Sequence, residues 1–311
     1  MKNLDYLFIN GAVGTKTTTL FSQNEYQVLA TSRTGFFKTL IDLGYKNLEY
    51  DKIDDVLVEG YEDLKEYLKT ITQNNEDIIK FFYFRFDLTN ILVLLKEKLT
   101  GKKGKLGKLG CFTPSDLSNI LFLKDFTKLN DEKTFFETII NSYSSLSAFN
   151  LSNLVIKEGY KYLNDYIAVN DIALKTYFDI EVTIKNVMTL YRIKRLNASF
   201  EDYLDSIIPY GLVEHDVLVS LYDHSSDEIG TRLNNLFNVE FVGALEALGS
   251  SNDLEVFNYA LNVMRKNLLR DLSFNREQLG SLVYYVFLKE TEFKNIKSIY
   301  LDKENLNKIV L

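Results

Sequence analysis

The chain has 311 residues, 46% hydrophobic and 25% charged, a globular composition that excludes collagen-like, disordered and disulfide-scaffold classes. Its formal net charge is −7, opposite in sign to what neutralising phosphates requires, so nucleic acid is not an expected partner. Two prolines, Pro114 and Pro209, leave long stretches without a helix breaker, and length alone suggests about two domains.

In chain order, Leu7-Phe-Ile-Asn-Gly-Ala-Val-Gly14-Thr-Lys16-Thr-Thr18 superficially looks like a strand followed by a phosphate loop. Lys16 follows Gly11 by five residues and no Gly-Lys-Ser/Thr triplet occurs anywhere, so no nucleotide cradle is expected. Ser22-Gln-Asn-Glu25 reads as a capping box that starts a helix. Tyr26, Leu29, Phe36, Phe37, Leu40 and Leu43 then mark an apolar face, with Thr34-Gly35 as its breaking point and Gly44 as a left-handed terminator. Gly101-Lys-Lys-Gly104-Lys-Leu-Gly107-Lys-Leu-Gly110 fits neither phosphate-binding nor dinucleotide spacing. It reads as a mobile basic connector whose lysines are available to an acidic partner or to lipid headgroups. Thr113-Pro-Ser-Asp116 starts another helix, with proline where its missing N–H costs nothing. Ser199-Phe-Glu-Asp202 starts a further one, limited by Pro209 and Gly211. Ser250-Ser-Asn-Asp253 precedes Leu254, Phe257, Leu261, Met264 and Leu268, a buried stripe at helical spacing. No segment sustains period-two alternation, and the predicted fold class is all-α.

Candidate chemistry is sparse. The single cysteine, Cys111, fits a reducing compartment and has no histidine nearby in sequence to make it a nucleophile. The two histidines, His215 and His224, lie nine residues apart among Glu214, Asp216, Asp223 and Asp227, a spacing that matches no metal motif. No catalytic residue, metal site or cofactor is expected. The N-terminus lacks the basic flank and apolar run of a signal peptide. The longest apolar runs, Ile91–Leu95 and Leu282–Leu288, are far shorter than the ~20 residues of a membrane span. A soluble, cytosolic protein is the expectation. The 27 asparagines against 9 alanines point to an AT-rich coding bias, so a single asparagine match means little.

The informative signal is an internal repeat. Asp87–Lys98, Thr183–Lys194 and Glu292–Lys303 align without gaps on Asn90, Asn186 and Asn295. Two residues before the asparagine lie Leu88, Ile184 and Phe293; one after it lie Ile91, Val187 and Ile296. Leu94, Leu190 and Ile299 follow at four, and Leu95, Tyr191 and Tyr300 at five. Lys98, Lys194 and Lys303 agree at eight. These offsets fall on one helical face. Three before the asparagine, the first and third copies carry Asp87 and Glu292 and the second carries Thr183. The asparagines read as buried helix–helix hydrogen-bonding groups rather than ligands. Six co-varying positions in three places imply duplication into three helical units, 1–110, 111–211 and 212–311, with pseudo-threefold symmetry.

Thr183–Lys194, continued by Arg195 through Phe200 to Ile208-Pro209-Tyr-Gly211, resembles the middle of the C-type subunit of prokaryotic V/A-type ATPases, the counterpart of the d-type subunit of eukaryotic V-ATPases. Lys289-Glu-Thr-Glu-Phe-Lys-Asn295 is similar to that family's last helix, and Tyr6, Asn10, Leu20, Glu25, Tyr26 and Leu29 fit its opening. The chain departs from the family where Gly11-Ala-Val-Gly14 replaces basic residues, and at Leu301, which stands where the other copies have Lys96 and Arg192. The resemblance implies a funnel-shaped all-helical body. It also implies a non-catalytic rotor adaptor, one copy per complex, between the central stalk and the membrane proteolipid ring. Such a part transmits torque coupling ATP hydrolysis or synthesis to H⁺ or Na⁺ translocation, on the cytoplasmic face of the cell membrane. The competing readings are an unrelated triplicated all-α scaffold and an all-α enzyme with a site near His215 and His224.

Overall fold

Capping side chains set where the helices begin. In a computed structural model that describes residues 4–32, 35–46, 52–237, 254–275, 277–303, 306 and 309, every regular element is helical. The first three helices are α1 (Tyr6–Thr17), α2 (Gln23–Thr31) and α3 (Phe36–Asp42). Next come α4 (Ile53–Ile71), α5 (Glu76–Thr100), α6 (Pro114–Ser118), α7 (Lys133–Ser142) and α8 (Ala148–Tyr162). After them run α9 (Ile172–Arg195), α10 (Phe200–Ser206), α11 (His215–Ser220) and α12 (Ser226–Phe237). The last two are α13 (Leu254–Ser273) and α14 (Gly280–Leu301).

The capping boxes at Ser22, Thr113 and Ser199 all form, each pairing the hydroxyl residue with the acid three residues on. The segment from Leu7 to Thr17 lies in α1 and forms neither strand nor loop, and Asp5 caps this helix by accepting the Phe8 N–H at 2.9 Å. Gly44 takes φ +102, as its place after α3 demands. The proposed start at Ser250–Asp253 lies outside the described residues. Beyond it, Leu261 and Met264 are buried, while Leu268 is only half-buried and Leu269 is fully enclosed. The 3.6-residue turn has shifted the covered face by one position there.

The chain divides into two compact units, one made of Lys65–Tyr222 with the first four residues, the other of Asp5–Leu64 and Asp223–Leu311. Within the first unit α5 is buried almost all round over its N-terminal half, where Ile78, Ile79, Phe81, Phe82, Tyr83 and Phe84 are all enclosed. Phe81 and Phe82 meet Tyr177 of α9 with ring centroids 5.9 and 5.8 Å apart. Gly159 lets α8 press on α5: a Cβ there would lie 2.5 Å from a Leu88 methyl. Within the second unit α14 packs against α1, α2 and α13. Its Phe293 ring lies so close to Gly60 of α4 that an added Cβ would sit 2.7 Å from the ring edge.

The long helices α5, α9 and α14 are the three repeat helices, and their apolar offsets are buried as expected at Leu88, Ile184, Phe293, Ile91, Val187, Ile296, Leu94, Leu190 and Ile299. The fifth offset departs from the expectation. Leu95 is buried, Tyr191 is half-buried, and Tyr300 is 39% exposed. Tyr300 lies near the end of α14, with the rings of Phe36 and Phe37 against it at 5.2 and 5.6 Å.

Candidate functional site

The repeat asparagines do something more specific than join helices. On α5, Asp87, Asn90 and Val93 recur every three residues and so share a face. The Gly-Lys segment after α5 doubles back along that face. Asn90 Nδ2 donates to the Gly107 carbonyl at 3.1 Å, and Gly107 N–H donates to Asn90 Oδ1 at 2.8 Å. Cys111 and Phe112 N–H groups donate to the two oxygens of Asp87 at 2.6 and 3.1 Å. The glycines are required by contact. A Cβ on Gly104 would sit 2.5 Å from Val93 Cγ1, and one on Gly110, at φ +142, would sit 2.3 Å from Asp87 Oδ1. The expected mobile connector is therefore a seated strap, because its glycine spacing of three matches the helix turn it lies on.

The second copy makes the same connections with different residues. Asn186 Nδ2 donates to the Ile208 carbonyl at 2.9 Å and to Tyr210 at 3.4 Å, and Ile208 N–H donates to Asn186 Oδ1 at 2.9 Å. Leu212, four residues on, donates its N–H to Thr183 Oγ1 at 2.7 Å, as Cys111 does to Asp87 four residues after Gly107. Gly211 at φ +118 occupies the place of Gly110, and a Cβ there would meet Thr183 Oγ1 at 2.7 Å. In both copies the asparagine grips the backbone of an irregular connection rather than another helix. For Asn90 and Asn186 that corrects the helix–helix reading: a helix has few spare backbone groups outside its ends, whereas a connection has both N–H and C=O to satisfy.

The third copy finds its partners earlier in the chain. Glu292, only 2% exposed, accepts the Phe21 N–H at 2.8 Å and the Tyr45 hydroxyl at 2.7 Å. Lys289 pairs with the same carboxylate. Asn295 hydrogen-bonds the Tyr26 hydroxyl on α2, the one helix–helix contact of the three. Burial, with Glu292 and Glu25 adding to it, pushes the Tyr26 phenol well above its ordinary value, so it stays neutral. Phe21 and the capping box that follows it stand to Glu292 as Phe112 and its capping box stand to Asp87.

The repeated lysines also reach the segment that follows each connection. Lys194 Nζ donates to the Tyr222 carbonyl at 2.8 Å, and Lys303 Nζ donates to the Ser32 carbonyl at 2.7 Å. Lys98 Nζ lies 5.7 Å above the Phe122 ring centroid.

Electrostatically the most perturbed repeat position is Asp87, with no exposed surface. Burial pushes its carboxyl up to about 7, against the opposing pull of the Cys111 and Phe112 N–H groups and of Lys65. The Cys111 thiol is pushed well above its ordinary value, by burial first and the adjacent Asp87 second, so it is no thiolate nucleophile.

The remaining candidates do not assemble into chemistry. His215 is exposed at the start of α11, and among the described residues no three His, Cys, Asp or Glu side chains are grouped to hold a metal ion. A cavity of about 460 Å³ is lined by Lys65, Lys80, Cys111, Asp116, Lys128 and Glu132, among others. Lys80 pairs with Glu132 and Lys128 with Asp116, both at 2.6 Å, and Lys65 donates to the Gly110 carbonyl. Burial opposes the Glu132 charge, yet Lys80 and backbone N–H groups hold its carboxyl below the usual range. The cavity is lined by neutralised pairs, with little cationic surplus to receive an anion.

In the sequence Asp87 and Glu292 are acids and Thr183 departs from them. The structure makes all three equivalent in what they do, since each offers an oxygen to a backbone N–H. The shared Phe-[Ser/Thr]-x-x-[Asp/Glu] string at Phe21 and Phe112 was the available signal for the third copy's partner.

These features define an all-α protein organised on three long buried helices, each of which anchors irregular chain through an oxygen acceptor one turn before a buried asparagine; in two of them the asparagine grips that chain as well, and in the third it bonds the Tyr26 hydroxyl. The chain belongs to the ATP synthase (C/AC39) subunit family, whose model matches residues 9–305. It is thus a subunit of a V/A-type ATPase complex. Among curated proteins, none matches the chain by direct comparison. No helix among the described residues is long and apolar enough to cross a membrane.

Proposed function

We propose that this protein is the non-catalytic adaptor between the central stalk of the ATPase head and the membrane proteolipid ring, passing torque that couples ATP hydrolysis or synthesis to H⁺ or Na⁺ translocation. Family membership over residues 9–305 carries this reading. The anchored connections support it physically, because a part under torsional load needs irregular segments that do not yield. Asn90, Asn186 and, in the third copy, Glu292 each remove one soft point of that kind. We also propose that the three helices mark three units, 1–110, 111–211 and 212–311, related by a pseudo-threefold axis. The recurrence of the asparagine, the acceptor before it and the lysine after it supports that division. One copy per complex, peripheral on the cytoplasmic face, follows from the same reading.

Deleting the chain from the host complex tests the reading. ATP hydrolysis by the soluble head is expected to persist while ATP-driven ion pumping is lost, and the full-length chain added back restores pumping. Pumping that survives deletion, or a tagged chain that fails to co-purify with the stalk and the proteolipid ring from solubilised membranes, overturns it. Substituting His215 and His224 together is expected to leave pumping unchanged; loss of pumping in an intact complex would favour the enzyme reading.

A further inference from the structure

The strap between α5 and α6 concentrates positive charge on an acidic protein. Between Asp87 and Asp116 the only acid is Glu97, against six lysines at 96, 98, 102, 103, 105 and 108. The seating of the strap explains how they are displayed. Gly104, Gly107 and Gly110 turn toward α5, so Lys102, Lys103, Lys105 and Lys108 are all exposed. None of these four makes an ion pair among the described residues, unlike Lys80 and Lys128 in the neighbouring cavity. Apolar side chains accompany the charge. Leu99, at the end of α5, is 40% exposed. The Lys98 contact with Phe122 brings up the next residue, Leu123, which is 74% exposed and is followed by exposed Lys124.

We propose that this lysine-rich strap, with Leu99 and Leu123 beside it, is a docking surface for anionic phospholipid headgroups. Charge decides the sign of the partner, and three observations favour a lipid surface over an acidic protein. The cations are all lysines; no arginine offers the planar fork that matches a single carboxylate. Flexible point charges displayed on an exposed strap suit a delocalised array of phosphates, as juxtamembrane polybasic segments do. Exposed leucines set among lysines are the composition of an interfacial anchor, in which apolar side chains enter the headgroup boundary while ammonium groups meet phosphate. The glycines give the strap a second role: they hold the backbone to α5, so little chain entropy is lost on docking. This inference stands on the strap alone and does not depend on the adaptor reading.

Flotation of the full-length chain with vesicles tests it, comparing phosphatidylcholine alone with phosphatidylcholine containing about one-third phosphatidylglycerol. Binding is expected only to the anionic vesicles and is expected to weaken as salt is raised. In the variant K102Q/K103Q/K105Q/K108Q, affinity is expected to fall by roughly six hundredfold, at about fivefold per lysine. The four side chains are exposed, so an unchanged circular dichroism melt is expected to accompany that loss. L99S/L123S is expected to retain salt-sensitive binding but with lower affinity. No binding to anionic vesicles, or full binding by the four-lysine variant, overturns the proposal. If vesicle binding is absent and the same variant instead loses co-purification with the rest of the ATPase, the partner is an acidic protein surface and the lipid assignment fails.

Discussion

The connection after α5 and the connection after α9 carry out one task with almost no residues in common. Gly107-Lys-Leu-Gly110-Cys111 and Ile208-Pro-Tyr-Gly211-Leu212 share only the fourth residue, yet both offer one N–H and one C=O to an asparagine and a second N–H to the side chain three residues before it. The first is glycine-rich and largely solvent-facing, so its hold depends on close backbone approach. The second buries Ile208 and leans on packing as well. What is common to both is therefore the position of backbone polar groups, which many sequences can supply. The long helix holds the side chains of the lock; the connection needs only one glycine with positive φ.

Three experiments break or sharpen that comparison. The largest effect is expected at the shared glycines. Gly110→Ala forces a left-region φ on a Cβ residue and drives it into a carboxylate already held by two N–H groups, and should cost about 3–5 kcal/mol. Gly211→Ala meets the Thr183 hydroxyl at 2.7 Å, with the Thr183 backbone N 3.3 Å away, and should cost about 2–3 kcal/mol. Urea unfolding of both variants checks the order; equal costs would mean that the φ value alone matters.

The next effect separates the carboxylate lock from the hydroxyl lock by pH. Asp87 is held near 7 in the folded chain by burial, above its unfolded value. The folded state therefore binds more protons, and the stability this group contributes is full below about pH 4 and is lost as pH rises through about 7. The change should be on the order of a few kcal/mol. Thr183 does not titrate and adds nothing to the slope. Asp87→Asn should flatten the profile measured by urea unfolding at pH 5 and pH 8, and an unchanged slope in that variant would assign the titration elsewhere.

The smallest effect distinguishes a dry lock from a wet one. Asn186→Ala strands the Ile208 N–H in a fully enclosed site and should cost about 2–3 kcal/mol. Asn90→Ala frees Gly107, which is exposed, so water replaces the lost partners and about 1 kcal/mol is expected. Hydrogen exchange at Ile208 and Gly107 reports each release directly. Strong protection at Gly107 in Asn90→Ala would show that the glycine contacts alone seat the strap.

How far the sequence reached follows from the range of each interaction. The helix starts at Ser22, Thr113 and Ser199 were legible because a capping box closes within four residues. The apolar offsets of α5, α9 and α14 were legible because periodicity names a buried face without naming what covers it. At Tyr300 the prediction failed for that reason: the position lies on the right face but near the end of its helix. The strap was misread as mobile because glycine and lysine are the residues of linkers as well as of close backbone approach, and composition does not separate the two.

Capping signals, helical apolar spacing and few prolines established an all-α chain, and the matching offsets around Asn90, Asn186 and Asn295 established that one helix pattern recurs three times. Those properties are local or periodic, and the residues that carry them lie within a few turns of each other. Only the tertiary structure decided which backbone Asn90 and Asn186 grip, that Asn295 meets the Tyr26 hydroxyl instead, that Thr183 serves where Asp87 and Glu292 serve, and that residues between 21 and 45 provide partners of the third helix. A hydrogen bond from Phe21 to Glu292 spans most of the chain in sequence and 2.8 Å in space. An acceptor at one end of that bond leaves no mark on the residues at the other, because a backbone N–H is the same for every side chain that carries it.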